Sequence, residues 1–370
     1  MVVQNSGILP LKEWDKSFSN LNRPFVIAGP CSAETEEQVL SVAEQLKNIE
    51  NVIYFRSGLW KPRTRPSSFQ GVGEQGLPWI KAVKEKFGLR IITEVASPYH
   101  LEKVLEYGFD AVWIGARTTA NPFAVQEIAE ALKGVTIPVF IKNPINPDLE
   151  LWIGAIERIN KSGIKKIAAI HRGFSNYEKS RYRNLPQWQI PIDLKTYIPE
   201  ITILCDPSHI SGNSAYIYEL SQEAMDLNFD GLMIETHTNP EEALSDANQQ
   251  ITPDQLKQIL SSLIIRKPAT EDYPVLQQIE ELRKKIDVLD DHLLTTLEQR
   301  MNLVKRIGEL KDQNGITILQ SERWKQILSS ALEKGGRKGL NGNFINKLFK
   351  LIHQEAIAIQ AKIMDKKLKK

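Results

Sequence analysis

The chain has 370 residues, with 47 Lys and Arg against 45 Asp and Glu, 42% hydrophobic residues and a formal net charge of +2. Such a length suits one large domain plus a small one, and the near-neutral balance gives no reason to expect nucleic acid or an anionic membrane as partner. The two cysteines, Cys31 and Cys205, imply no disulfide framework, no apolar run is long enough to span a bilayer, and the start lacks a signal-peptide pattern, so a cytoplasmic protein is expected.

Taken in order, short β-rich runs alternate with segments of helical spacing. The runs are FVIAGP from Phe25, VIYFRSG from Val52, RIITEV from Arg90, AVWIGAR from Ala111, PVFIKNP from Pro138, KIAAIHR from Lys166, TILCDPSH from Thr202 and GLMIETH from Gly231. Each is nearly continuous in apolar residues, as parallel strands buried on both faces require. Helices are expected between them, for instance over Glu34–Ile49, Pro98–Tyr107 and Asn121–Leu132, with a last one over Pro253–Ile265. The alternation predicts an α/β fold, a (β/α)8 TIM barrel over 1–265. A doubly wound open sheet is the alternative, weakened by the lack of a GxGxxG turn after the first run. Residues 266–275, with Pro268 and Pro274, read as a linker. From Leu276 apolar residues recur at three- and four-residue steps and predict one helix of about 35–40 residues, long enough to suggest an intertwined partner. Two more helices are expected, near Leu319–Glu333 and Asn343–Lys362, separated by the Gly-rich KGGRKGLNGN. Residues 276–370 thus form a small all-α domain.

Reactive side chains fall at the ends of the strand runs. Cys31 follows the first; Arg56, Lys61, Arg63 and Thr64 follow the second; Glu94, Arg117, Lys142 and Arg172 close the next four; His209 and Glu235 close the last two. In a barrel these ends share the C-terminal face, where such enzymes carry their sites. Any one Arg or Lys is an ordinary surface charge; their recurrence at successive strand ends implies a small, strongly anionic substrate carrying phosphate. Cys31, His209, Glu235 and Asp246 combine one thiolate, one imidazole and two carboxylates. That mixed set suits a divalent Zn2+, Mn2+, Fe2+ or Co2+ ion. Cys205, inside ITILCDP, reads as a small buried hydrophobe.

AGPCSAE, KPRTRPSSFQGVG, IGARTTAN, the IKNP lysine, HRG, DPSH and MIETHTNPEEALSDANQ occur in this order across the barrel segment. With them the chain resembles 3-deoxy-D-arabino-heptulosonate 7-phosphate (DAHP) synthase, of the short type related to the deoxy-octulosonate phosphate synthases. LRKKIDVLDDHLLTTLEQR, IGELK, ERW and LFKLIHQEAIAIQ give the tail a resemblance to the all-helical chorismate mutase. The first resemblance implies condensation of phosphoenolpyruvate with erythrose 4-phosphate and release of phosphate. It implies Arg117, Lys142 and Arg172 on the phosphoenolpyruvate phosphate, Arg56 and Lys61 near its carboxylate, and Arg63 and Thr64 on the sugar phosphate. Lys142 is a candidate to move a proton and Glu94 to position a water. The second implies conversion of chorismate to prephenate, with Arg283, Arg300, Lys311 and Arg323 as cations and Gln360 at the ether oxygen. At about 100° per residue, Arg300 and Lys311 share a helix face, while Arg283 lies about 100° away. In that family the corresponding arginine reaches the partner's site, so a homodimer through the mutase helices is expected.

Three positions depart from these patterns: His171 stands where many synthase relatives have Glu, Trp324 where mutases often have Glu, and Ala356 where they often have Ser. An octulosonate-type synthase is the alternative for the barrel, and a dimerisation or sensing module without turnover the alternative for the tail. With the first strand at Phe25, no regulatory domain is expected upstream. Several pathway steps separate the two reactions, so the fusion points to feedback on the synthase by prephenate rather than to channelling.

Overall fold

The computed structural model describes residues 7–19, 23–61, 67–177 and 180–368. Arg63 and Thr64 lie outside the described residues. All eight apolar runs are strands: β1 (Phe25–Gly29), β2 (Val52–Arg56), β3 (Arg90–Val95), β4 (Ala111–Ile114), β5 (Val139–Lys142), β6 (Ile167–His171), β7 (Thr202–Cys205) and β8 (Gly231–Glu235). They pair in parallel in sequence order, and β8 returns to β1, which closes a barrel rather than an open sheet. Around it lie α1 (Glu36–Leu46), α2 (Leu77–Phe87), α3 (Pro98–Glu106), α4 (Ala116–Thr119), α5 (Pro122–Ala131), α6 (Leu149–Lys161), α7 (Gln189–Tyr197), α8 (Pro207–Ser211), α9 (Ile217–Asp226) and α10 (Pro253–Ser262). Their starts follow local chemistry. Thr35, Ser97, Asn121, Asp148 and Thr252 each accept a backbone N–H at a helix N-terminus, satisfying donors that have no partner inside the helix.

Strand geometry sorts the core into two layers. Residues of one parity, such as Val26, Phe55, Ile91, Val112, Ile141, Ala169 and Ile234, pack against the helices. Residues of the other parity fill the barrel: Ile27, Tyr54, Ile92, Trp113, Phe140, Ile170, Leu204 and Met233. Trp14 and Phe18, from two short 3-10 turns before β1, join this inner cluster; Trp14 meets Phe140 edge-on at 5.6 Å.

Because strand side chains alternate with period two, the next inward position beyond this apolar layer is fixed. It is Arg56 after Tyr54, Glu94 after Ile92, Lys142 after Phe140, Arg172 after Ile170, Asp206 after Leu204 and Glu235 after Met233. On β4 the equivalent place is Gly115, where an added Cβ would come within 2.2 Å of Glu94 Oε1; the missing side chain leaves room for that carboxylate. The charged layer is therefore a product of strand register.

The chain separates into two compact units, 1–268 and 269–370. The second holds α11 (Tyr273–Gln313), α12 (Ser321–Arg337) and α13 (Gly342–Leu368). α11 runs 41 residues, capped by Asp272 with Pro274 in its first turn, so Tyr273, Pro274 and Val275 are helical rather than linker. The expected break at the Gly-rich stretch is present but shorter, between Arg337 and Gly342. α12 continues through Gly335 and Gly336. A Cβ on Gly335 would meet Ile345 Cγ1 at 2.9 Å, so the glycine allows α12 and α13 to approach closely.

Candidate active sites

The charged layer opens into a cavity of about 110 Å3, lined by Lys61, Glu94, Arg117, Lys142, Arg172, Arg183, His209 and Asp246. At its floor Asp206, fully buried, ties the layer together. Its carboxylate lies 2.8 Å from Lys142 Nζ and 2.9 Å from His209 Nδ1, and it accepts the His209 backbone N–H at 3.0 Å as the cap of α8. Burial works to raise its pKa, yet His209 and Lys142 together hold it well below the usual carboxylate range. The carboxylate is an acceptor, so His209 carries its proton on Nδ1 and turns Nε2 toward Glu235 Oε1, 3.7 Å away.

Glu235 is held by Arg56, 3.1 Å from Oε1, and by Gln249 Nε2, 2.6 Å from Oε2. Arg56 is itself buried, lies over the Trp113 ring at 4.9 Å and donates to the Cys31 carbonyl at 3.2 Å. The resemblance puts it near the substrate carboxylate; in the structure it braces Glu235. Lys61 Nζ sits 2.7 Å from the Cys31 carbonyl and 2.9 Å from Sγ. Cys31 Sγ is in turn 3.3 Å from Asp246 Oδ2. Burial, with Glu235 nearby, pushes this thiol up to about 12. Asp246 adopts a left-handed backbone (φ 49°), and Arg183 pairs with its Oδ1 at 3.0 Å. The four expected metal ligands therefore stand as two pairs, Cys31 with Asp246 and His209 with Glu235. Among the described residues no three such side chains are gathered as a closed metal cluster.

Glu94 faces the cavity with Oε2 accepting from Trp113 Nε1 at 2.9 Å. Arg172 donates to Asn184 Oδ1 at 2.9 Å; burial first, then the neighbouring cations Arg183 and Arg117, lower its pKa to about 10. His171 has the opposite parity and leaves the site altogether. It is fully buried among Trp152, Phe174, Trp188 and Phe229, and burial drives its pKa down to about 3. It is a neutral core imidazole without a place in the proton inventory around Arg172.

In the helical unit, Arg300 on α11 is half-buried, its Nη1 enclosed without a hydrogen-bond partner among the described residues, and burial lowers its pKa. Gln360 on α13 is buried; its Nε2 donates to the Ala356 carbonyl at 3.2 Å while Oε1 accepts no hydrogen bond among the described residues. Lys311 donates to the Ile318 carbonyl at 2.6 Å. Arg323 is exposed, and Arg283 is exposed and paired with Glu280 at 2.6 Å. A guanidinium Nη1 and an amide oxygen without hydrogen bonds among the described residues, both in one small helical unit, suit a polyanion with an ether or hydroxyl oxygen.

Residues 15–270 match the model of the DAHP synthetase I family. The chain belongs to that family. Residues 282–361 match chorismate mutase type II, so one chain carries a DAHP synthase domain and a chorismate mutase domain, with both enzyme activities. A phospho-2-dehydro-3-deoxyheptonate aldolase of Thermotoga maritima is 34% identical over 239 residues, covering 64% of this chain and 68% of its own. A 2-dehydro-3-deoxyphosphooctonate aldolase of Helicobacter pylori is 27% identical, covering 65% and 95%. The crystal structure of a Thermotoga maritima DAHP synthase superposes with a TM-score of 0.58 at 33% identity, over 64% of this chain and 67% of that one. The domains imply phosphoenolpyruvate, erythrose 4-phosphate and chorismate as substrates. No helix among the described residues is long and apolar enough to cross a membrane.

For this DAHP synthase the structure adds Asp206, Arg183 and Gln249 to the residues expected at the site. Asp206 was legible from parity, two places after Leu204 in the strand-end run. Arg183 and Gln249 lie in loops and carried no periodic signal.

Proposed function

We propose that the barrel cavity is where phosphoenolpyruvate and the tetrose phosphate are condensed, with a divalent ion held by Cys31, His209, Glu235 and Asp246. The Asp206–His209 contact carries this reading. A carboxylate that fixes the Nδ1 proton leaves Nε2 as a lone-pair donor aimed at Glu235, the arrangement that orients a metal-binding imidazole. The donor chemistry agrees: a thiol raised to about 12 by burial and neighbouring carboxylates stays protonated unless a cation neutralises the site. When bound, the ion supplies a Lewis acid for the aldehyde oxygen. Lys142 and Arg172, with Arg117, surround the phosphate of phosphoenolpyruvate. Lys142 is aimed by Asp206. Glu94, with one oxygen held by Trp113, orients the water that adds as phosphate leaves. Lys61 lies nearest the Cys31 side, and Arg56 acts from below through Glu235. Arg63 and Thr64 are assigned to the sugar phosphate by resemblance.

In the mutase, Arg300, Lys311 and Arg323 hold the dianion, and Gln360 faces the ether oxygen, where charge develops in the rearrangement. Leu282, Ile286, Leu289 and Leu293 are exposed along α11 at four- and three-residue steps, an apolar seam that a second copy of α11 matches. A homodimer that brings the partner's α11 alongside gives exposed Arg283 a role in the neighbouring site. The chain is assigned to the cytoplasm and to aromatic amino acid biosynthesis.

The test is a rate comparison on metal-replete protein. Erythrose 4-phosphate is expected to be condensed far faster than arabinose 5-phosphate; the reverse preference would make the barrel an octulosonate-type synthase.

A further inference from the structure

Trp324 and Ala356 remove two hydrogen-bonding groups that the mutase resemblance leads one to expect, and the structure brings a different polar ring to that wall. His353 lies on α13 seven residues before Gln360, so at about 100° per residue the two point within about 20° of each other, two turns apart. Its imidazole lies nearly flat on the Trp324 indole, with centroids 4.0 Å apart and planes 20° from parallel. Trp324 comes from α12, next to Arg323. Burial and the charge of Arg300 on α11 both lower the His353 pKa, which puts the ring within electrostatic reach of that guanidinium. His353 thus joins α12 to α13 through Trp324 and shares the α13 face of Gln360. Neither Arg300 Nη1 nor Gln360 Oε1 is hydrogen-bonded, and the His353 ring makes a stacking contact but no hydrogen bond, among the described residues.

We propose that His353, braced by Trp324, is a substrate-binding residue of the mutase site, whose ring N–H donates to an oxygen of the bound dicarboxylate. The indole fixes the plane of the imidazole and so aims its edge, replacing by one rigid ring the polar contacts absent at Trp324 and Ala356. This rests on placing the mutase site at Arg300 and Gln360.

The test is steady-state kinetics of chorismate rearrangement in the full chain, with condensation by the same preparations as the check on folding. His353→Phe keeps the stack and removes the N–H; it is expected to lower kcat/KM about tenfold or more, the worth of one polar contact to an anion. His353→Gln restores a donor and is expected to recover most of that loss. Condensation should be unchanged in both. Wild-type kinetics in His353→Phe, or equal losses in the Phe and Gln variants, would overturn the proposal. Arg300→Ala separates the two readings: full mutase activity in that variant would show that the site itself lies elsewhere.

Discussion

Replacing Asp206 by Asn tests whether one buried carboxylate organises the synthase site. The substitution keeps the shape and an oxygen that can still accept the His209 backbone N–H, so the cap of α8, worth about 1 kcal/mol, survives. What disappears is the charge 2.8 Å from Lys142 Nζ and hydrogen-bonded to His209 Nδ1. Breaking a buried ion pair by removing one partner costs about 3–5 kcal/mol. Lys142 borders a cavity of about 110 Å3 and can turn into it, which offsets part of this. The expected loss is therefore about 3 kcal/mol in barrel stability, with condensation falling at least a hundredfold as His209 and Lys142 lose their orientation. Denaturant unfolding followed by tryptophan fluorescence measures the first and a condensation assay the second, while mutase turnover in the same chain should hold. An Asn variant with the wild-type midpoint and rate would refute the view that Asp206 fixes these two side chains.

Further outcomes follow from the other charged groups. Arg300→Ala should lower mutase kcat/KM by about a hundredfold or more, since its enclosed Nη1 has no hydrogen-bond partner among the described residues, and should leave condensation intact; equal loss of both activities would point to misfolding. His171 binds its proton only near pH 3 when folded but near 6.5 when unfolded, so the unfolded chain takes up the proton first as pH falls between these values. Barrel stability should then drop with acidification by up to about 1.4 kcal/mol per pH unit, and His171→Leu should flatten that slope in pH-dependent unfolding measurements. Prephenate should slow condensation in the full chain, and Arg300→Ala should blunt the effect; a ligand acts this way only by binding one state of the enzyme better than another. Unchanged condensation rates at saturating prephenate would remove feedback from the account.

Much of this was readable before the fold. The eight strands were plain because each is buried on both faces and so nearly all apolar, and α11 was plain because its spacing never breaks. The charged layer was visible as a list of strand-end residues, but its depth was not. Arg56 reads like its neighbours in sequence and shares their inward parity, yet it is buried against Trp113 and Glu235. Strand parity turns His171 outward and Asp206 inward. The glycines inside α12 misled because the close approach of Ile345 is a tertiary fact. Arg183 and Gln249 reach the site from loops, where no period marks a direction.

The most direct test of the central claim is the metal content and metal dependence of condensation. Purified protein stripped with a chelator should lose condensation and keep mutase turnover. Adding Mn2+, Fe2+, Co2+ or Zn2+ should restore condensation with about one ion bound per chain, and Cys31→Ala should bind the ion more weakly and recover only in part. Full condensation in excess chelator, with no metal bound, would contradict the assignment of Cys31, His209, Glu235 and Asp246.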